Sequence, residues 1–308
     1  MSAFIKPVEN SPIPFAQLLG EITGRGGPLA VGRFCDQDGD YRREYNVYRL
    51  EAGDRAYVLK KSDEAEARLY ETYLKGRGLP VPEYFGRAFW GGDLWLLLEY
   101  LPGPDLRRFT PELAGASARS LAEIQNTYWG GREDGRFQRY WRRINQRAQC
   151  LKSDPLLAEA YELFLKRQVD CPRTLSSGDF LPLNAIFHGE RVYLIDWAFG
   201  GTMPYALDIA RHIAHGSESP APGEFPFYME EAARRRFVEE MYRRLEHKPS
   251  WERYVMDLKL AALNEYVEFL EQGLLDPGVS REELEAEPCF YYRRAMEAAE
   301  GILREAGL

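Results

Sequence analysis

The spacing of apolar residues changes character along the chain, and each change predicts a different kind of element. A short helix is expected over 15–21, followed by a flexible connector, Gly24-Arg25-Gly26-Gly27-Pro28. From 29 to 61 the apolar residues fall in short runs, which predicts strands at 29–35, 45–50 and 55–61. Asp38-Gly39-Asp40 and Ala52-Gly53-Asp54 punctuate them as hairpin turns, so an antiparallel meander follows. Over 62–75 the spacing becomes helical: Leu69, Tyr70, Tyr73 and Leu74 form one stripe. Ser62 is the expected cap, with Asp63 and Glu64 at the positive end of the helix. Two more strands are expected at 84–90 and 94–100, turning at Gly91-Gly92-Asp93. The second is almost wholly apolar, as a strand buried on both faces would be.

Beyond Leu101-Pro102-Gly103-Pro104 the pattern turns helical. Thr110 can cap a helix with Pro111 at its first position, Leu113, Leu121, Ile124 and Tyr128 mark its buried side, and Gly130-Gly131 ends it. A second helical region covers 136–170, with further helices over 229–273 and 281–306 and a proline-bearing loop at 217–228. One stretch, 175–201, interrupts the helices. Its β-type runs at 185–187 and 192–195 flank His188-Gly189-Glu190-Arg191, which predicts a hairpin. Opposed hairpin positions lie about 5 Å apart at Cβ. Asn184, before the first strand, therefore comes close to Asp196, after the second, with the register open by one residue. Asp179 lies on the preceding loop with Gly178 and Pro182. Two hard-oxygen side chains suit Mg²⁺, and a third carboxylate beside them could orient or deprotonate a hydroxyl. The same residue types also cap strands and turns, and from these three residues alone both readings stand.

Gly178-Asp179, then Asn184, a hairpin, and Asp196-Trp197 resemble the catalytic segment of the aminoglycoside phosphotransferases and choline-kinase-type enzymes, relatives of the protein kinases. The resemblance implies an α+β, two-lobed protein-kinase-like fold with a small antiparallel N-terminal sheet and a mostly helical C-terminal lobe. It divides the chain into a nucleotide-binding lobe, 1–101, and a catalytic and substrate-binding lobe, 102–308. It implies that Asp179 accepts the proton of the acceptor hydroxyl and that Asn184 and Asp196 ligate Mg²⁺. Ser177 stands where the family usually has histidine. The strand Ala56-Tyr57-Val58-Leu59-Lys60 resembles the family's lysine strand, which directs Lys60 at the nucleotide phosphates and turns Lys61 to the other face. The helix that follows resembles the one whose glutamate pairs with that lysine, and this selects Glu66 over Glu64 and Glu71. The backbone near Glu99, Tyr100 and Leu101 would bind the adenine edge. Gln125 occupies a position where histidine is common, and Asp208 resembles an aspartate that braces the catalytic loop.

Composition narrows the field. The chain has 308 residues and the balance of an ordinary globular protein. No run approaches the roughly 20 apolar residues that cross a bilayer, and the first ten residues lack a signal-peptide layout, so the cytoplasm is the expected location. A formal charge of -8 argues against a nucleic-acid binder and is compatible with a cationic small-molecule partner. The four cysteines, Cys35, Cys150, Cys171 and Cys289, are far apart and read as free thiols. His212 and His215 share a helical spacing, but no further ligand accompanies them as structural zinc requires. The glycines at 24–27 lack the Gly-Lys-Ser/Thr of a phosphate loop.

The expected function is transfer of the γ-phosphate of ATP or GTP, with Mg²⁺, to a hydroxyl of a small molecule: an aminoglycoside-like compound, an amino alcohol or a sugar. Glu265, Glu268 and Glu271, near Tyr266 and Phe269, and Glu230 and Glu231 earlier, suit a cationic acceptor or form solvated helix faces. A catalytically silent kinase-like binding protein is the alternative. Ser177 and the glycine-poor first turn favour it, while Lys60, Asp179, Asn184 and Asp196 count against it. A protein kinase ranks last, because no Ala-Pro-Glu segment follows Asp196. The sequence leaves the oligomeric state open.

Overall fold

The computed structural model describes residues 2–38, 41–132, 135–219, 227–274 and 290–308. Its N-terminal part is one antiparallel sheet of β1 (Ser2–Pro7), β2 (Ala30–Asp38), β3 (Tyr41–Ala52), β4 (Arg55–Ser62), β5 (Tyr84–Trp90) and β6 (Asp93–Glu99). The spatial order is β1-β2-β3-β4-β6-β5. The expected meander is present with longer strands, although Gly39 and Asp40 of its first turn lie outside the described residues. β1 was not anticipated. It sits at the sheet edge, where Pro7 is tolerated because one side of the strand needs no ladder partner.

β6 shows why an all-apolar strand belongs here. Trp95 and Leu97 join a cluster with Tyr48, Leu50, Leu59 and the buried Leu18 and Leu19 of α1 (Phe15–Thr23). Leu94, Leu96 and Leu98 face the opposite way, into the main core. That core reaches from α2 (Glu64–Leu69) through Phe180, Val192, Leu194 and Trp197 to Tyr205, Phe237 and Tyr254, so apolar packing is continuous between the sheet and the helices. α2 continues as a π-helical turn over Tyr70–Leu74. Its cap is Asp63, not Ser62: the Asp63 carboxylate accepts from the N–H groups of Ala65 and Glu66 at 2.9 and 2.8 Å. Ser62 is instead the last residue of β4.

The C-terminal part is mostly helical: α3 (Pro111–Thr127), α4 (Gly135–Cys150), α5 (Pro155–Asp170), α6 (Ala206–Ala214), α7 (Glu231–Arg244), α8 (Trp251–Leu274) and α9 (Phe290–Ala306). The helical region expected over 136–170 divides before Asp154, which caps α5. Of the segments expected at 217–228 and 281–306, residues 220–226 and 281–289, with Cys289, lie outside the described residues. Short strand pairs interrupt the helices. β8 (Arg173–Ser176) pairs with β11 (Gly201–Pro204), and β9 (Ala185–His188) with β10 (Arg191–Leu194). β7 (Arg108–Phe109), β12 (Gly216–Ser217) and β13 (Phe227–Met229) form a small parallel sheet.

Candidate active site

The β8–β11 pair closes around the segment that carries Asp179, Asn184 and Asp196, with Ser176 opposite Gly201. The loop after β8 turns at Gly178, whose φ of +72° is left-handed and whose absent Cβ would meet the Phe199 carbonyl oxygen at 2.5 Å. Glycine is therefore required there on two counts. Asp208, fully enclosed on α6, braces the loop. Its carboxylate accepts from Ser176 Oγ, the Ser177 N–H, Ser177 Oγ and the Gly178 N–H at 2.8 to 3.3 Å. Burial pushes the Asp208 carboxyl up to about 6, and these donors hold it below what burial alone would give. Ser177 does local work at the position where histidine was expected: its hydroxyl donates to Asp208 and accepts from the Asp179 N–H at 3.3 Å.

The hairpin register is now fixed. Leu194 faces Ala185, and the Ile195 N–H donates to the Asn184 carbonyl at 3.0 Å, which sets Asp196 one residue beyond Asn184. Asn184 donates through Nδ2 to both the carbonyl oxygen and Oδ2 of Asp179, each at 2.9 Å. Its amide oxygen has no protein partner among the described residues. Asp196 has a φ of +57°, the one left-handed non-glycine among the described residues, in a conformation that aspartate tolerates better than most.

From β4 of the sheet, Lys60 extends toward Asp196 of the helical part. Its ammonium lies 2.8 Å from Glu66 Oε1 and 2.7 Å from Asp196 Oδ1. Burial disfavours the Lys60 charge, but Asp196 and Glu66 reverse that and hold the amine above its ordinary pKa. Glu66 is buried and receives the Ser62 hydroxyl at Oε2 and the Trp197 N–H at Oε1, 3.1 Å away. The other two glutamates of the helix point elsewhere: Glu64 pairs with Arg87, and Glu71 accepts from Tyr84. Lys61 faces away as expected and pairs with Asp93 at 2.8 Å. At the end of β6, the Glu99 N–H is taken by the Glu83 carbonyl at 2.8 Å. Leu101 follows outside any strand, and its N–H has no protein partner among the described residues.

The donor set fits a hard cation. Asn184 Oδ1 and Asp196 Oδ2 are hard oxygens without protein partners among the described residues, beside a lysine suited to phosphate. No group of three or more His, Cys, Asp or Glu side chains that could hold a metal occurs among the described residues, so phosphates and water would have to complete the shell. His212 and His215 serve other purposes. His212 is stacked on Phe180 at 4.3 Å, and burial pushes its pKa down to about 3. His215 contacts Glu265 and Tyr291.

The sequence did not single out Arg211. It reaches from α6 to Asp179 Oδ1 with Nε at 2.9 Å and Nη2 at 2.7 Å, and its Nη1 donates to Glu265. Desolvation raises the Asp179 pKa, and Arg211 opposes the rise without cancelling it. The acidic row on α8 also needs correcting. Glu265 is paired with Arg211, Glu268 with Arg147 and Arg143, and Glu271 with Arg147. These carboxylates face the protein's own arginines rather than a solvated face. A cavity of about 620 Å³ lined by Phe137, Trp141, Arg142 and Arg173 borders none of the candidate residues and has no part in this site.

The family model described as the phosphotransferase enzyme family, APH, matches residues 42–253, more than half of the 308-residue chain. The chain belongs to the phosphotransferase enzyme family. This phosphotransferase is similar in fold to an aminoglycoside phosphotransferase from Alicyclobacillus acidocaldarius subsp. acidocaldarius DSM 446, with 15% identity, 88% of this chain and 90% of the other covered, and a TM-score of 0.54. It is similar also to a thermostable mutant of aminoglycoside phosphotransferase APH(4)-Ia in a ternary complex with ADP and hygromycin B, at 16% identity, 96% and 100% coverage, and a TM-score of 0.52. A choline/ethanolamine kinase family protein from Mesorhizobium loti aligns at 13% identity, 95% and 91% coverage, and a TM-score of 0.53. At these identities the likeness is one of fold, and it spans both the sheet and the helical part: the two-lobed kinase-like α+β architecture. No curated protein sequence matches the phosphotransferase. No helix among its described residues is long and apolar enough to cross a membrane.

Proposed function

We propose that the chain transfers the γ-phosphate of ATP or GTP to a hydroxyl of a small molecule, in a cleft between a sheet lobe ending at Leu101 and the helical lobe beyond it. The observation that carries this reading is the 2.7 Å contact between Lys60 of the sheet and Asp196 of the helical part, with Asn184 and Asp179 adjoining. Lys60, held by Glu66, is placed to bind the α and β phosphates. The backbone at Glu99 and Leu101 binds the base of the nucleotide, a role the unengaged Leu101 N–H supports. Asn184 and Asp196 would hold Mg²⁺, which when bound neutralises charge on the phosphates. Asp179 accepts the proton from the acceptor hydroxyl, and Asn184 keeps one of its oxygens aligned. The likeness to structures described with ADP and AMP-PNP supports a nucleotide co-substrate.

The acceptor is proposed to be a sugar, an amino alcohol or an aminoglycoside-like compound. The α8 carboxylates give no support to a polycation in particular, because arginines already meet them. The intact brace of Ser177 on Asp208 favours turnover over a silent binding protein. The test is a phosphorylation assay with Mg²⁺ and ATP or GTP against four acceptors: glucose, choline, homoserine and kanamycin. Transfer to at least one is expected, and Asp179→Ala should lower it by about 10²- to 10⁴-fold while AMP-PNP still binds. Asp179→Ala at wild-type turnover would remove the base from the scheme.

A further inference from the structure

The α6 helix meets the catalytic loop with two side chains three residues apart, which places them on one helical face. Asp208 takes the loop backbone, and Arg211 takes the Asp179 side chain. The contacts of Arg211 are specific. Nε and Nη2 both donate to Oδ1, at 2.9 and 2.7 Å, while Oδ2 is held by Asn184 at 2.9 Å. Each carboxylate oxygen thus has its own anchor, on opposite sides of the group.

Arg211 is itself fixed from behind. Its Nη1 donates to Glu265 Oε2, and Glu265 is 1% exposed. The same oxygen contacts His215 Nε2 at 3.3 Å, and His215 Nδ1 contacts the Tyr291 hydroxyl of α9 at 3.1 Å. Glu268 Oε1 lies 3.9 Å from Nη1 and is met by Arg143, while Arg147 takes Oε2 of the same carboxylate. Burial disfavours the guanidinium charge, but Glu265, Asp179 and Glu268 outweigh it and keep the group protonated. A planar fork held by carboxylates on two sides has little freedom to swing. Glu265 engages only Nη1 of this guanidinium, and its two other contacts, from Nε and Nη2, both go to Asp179 Oδ1.

We propose that Arg211 is a positioning residue of the transfer reaction, fixing the orientation in which Asp179 meets the acceptor hydroxyl. This rests on the assignment of Asp179 above. Transfer depends on the near-attack geometry of the base and the acceptor oxygen, and a misplacement of about 1 Å costs roughly 10²-fold in rate. Arg211 touches neither nucleotide nor acceptor in this scheme, so its loss should appear in kcat and leave binding alone.

The test compares wild type with Arg211→Lys, Arg211→Met and the double variant Arg211→Met/Glu265→Gln. The double variant removes the carboxylate that Arg211→Met alone would leave buried without its arginine. Each is measured for thermal unfolding, for affinity toward Mg²⁺·AMP-PNP by calorimetry, and for kcat and KM with whichever of glucose, choline, homoserine or kanamycin the wild type phosphorylates fastest. The expected result is a kcat reduced by about 10²-fold in both methionine variants, nucleotide affinity and acceptor KM unchanged within threefold, and partial recovery of kcat in Arg211→Lys. A folded double variant with wild-type kcat overturns the proposal. So does a loss confined to nucleotide affinity, or failure of all three variants to fold, since each makes Arg211 structural or assigns it elsewhere. If the wild type phosphorylates none of the four acceptors, the phosphotransfer reading itself falls, which is a separate outcome from wild-type turnover that survives the loss of Arg211.

Discussion

His212 and Lys60 show how the same fold treats two basic groups in opposite ways. Lys60 is half-buried against two carboxylates and kept charged. His212 is enclosed by Phe109, Phe180 and Phe237, with Ser117 and the Phe180 carbonyl as its polar contacts, and burial pushes its pKa down to about 3. An unfolded histidine takes up its proton near pH 6.5. The unfolded chain therefore binds more protons than the native one between about pH 6.5 and 3, and stability falls as pH is lowered through that window. The slope for one such group is about 1.4 kcal/mol per pH unit. His212→Gln should remove that contribution. Urea unfolding of both proteins at pH 7, 6, 5 and 4 should show the wild type losing stability faster by about this slope below pH 6. Parallel curves would mean that His212 titrates normally in the folded state.

Among the elements, the loop after β8 is held by an aspartate from α6. Replacing Asp208 by alanine leaves the Ser177 N–H and the Ser176 and Ser177 hydroxyls without their acceptor. A buried donor left unsatisfied costs about 1–3 kcal/mol, so Asp208→Ala should lose roughly 3 kcal/mol or more of unfolding free energy. Hydrogen exchange at residues 177–181 should accelerate with it, and unchanged protection there would show that the brace is not what orders the loop. Much of this element was legible in the sequence. A glycine, two acids and an asparagine spaced around a hairpin leave few ways to fold, and the pairing of β9 with β10 is local. What was not legible depends on distant partners. The β8–β11 pair joins segments separated by the whole hairpin, and nothing in Arg173–Ser176 names Gly201–Pro204 as its neighbour. Asp63 rather than Ser62 caps α2 because β4 runs one residue further than its apolar pattern. Arg211 carried a faint signal, a lone arginine on the face of α6 that Asp208 marks as buried, but only the fold places Asp179 opposite it. The α8 glutamates looked like surface acids because their arginines come from α4 and α6.

Across the whole molecule, polar contacts join the sheet to the helical part at several places. Lys60 meets Asp196, and Leu69 packs where a Cβ on Gly200 would lie 2.8 Å from it. Arg107, just after the Leu101-Pro102-Gly103-Pro104 stretch, donates to both oxygens of Asp36 on β2 at 3.2 and 3.3 Å, and the Tyr45 hydroxyl of β3 donates to the same carboxylate at 2.7 Å. Burial and the Asp36 carboxylate push the Tyr45 phenol up to about 12, so it remains a donor throughout the physiological range. This ion pair ties the β2–β3 hairpin to the helical part. Arg107→Ala should loosen it and speed dissociation of AMP-PNP by about tenfold, equivalent to roughly 1.4 kcal/mol. Stopped-flow displacement of a fluorescent nucleotide would read the change, and an unaltered dissociation rate would confine the pair to a structural role.

Calorimetric titration with AMP-PNP probes whether Lys60, Asn184 and Asp196 share one metal–nucleotide site, as proposed. Such a site gives saturable binding by the wild-type chain that requires Mg²⁺ and weakens at least about tenfold, or roughly 1.4 kcal/mol, in Asp196→Ala. Binding that ignores both Mg²⁺ and Asp196, or no binding at all by the wild type, would contradict it.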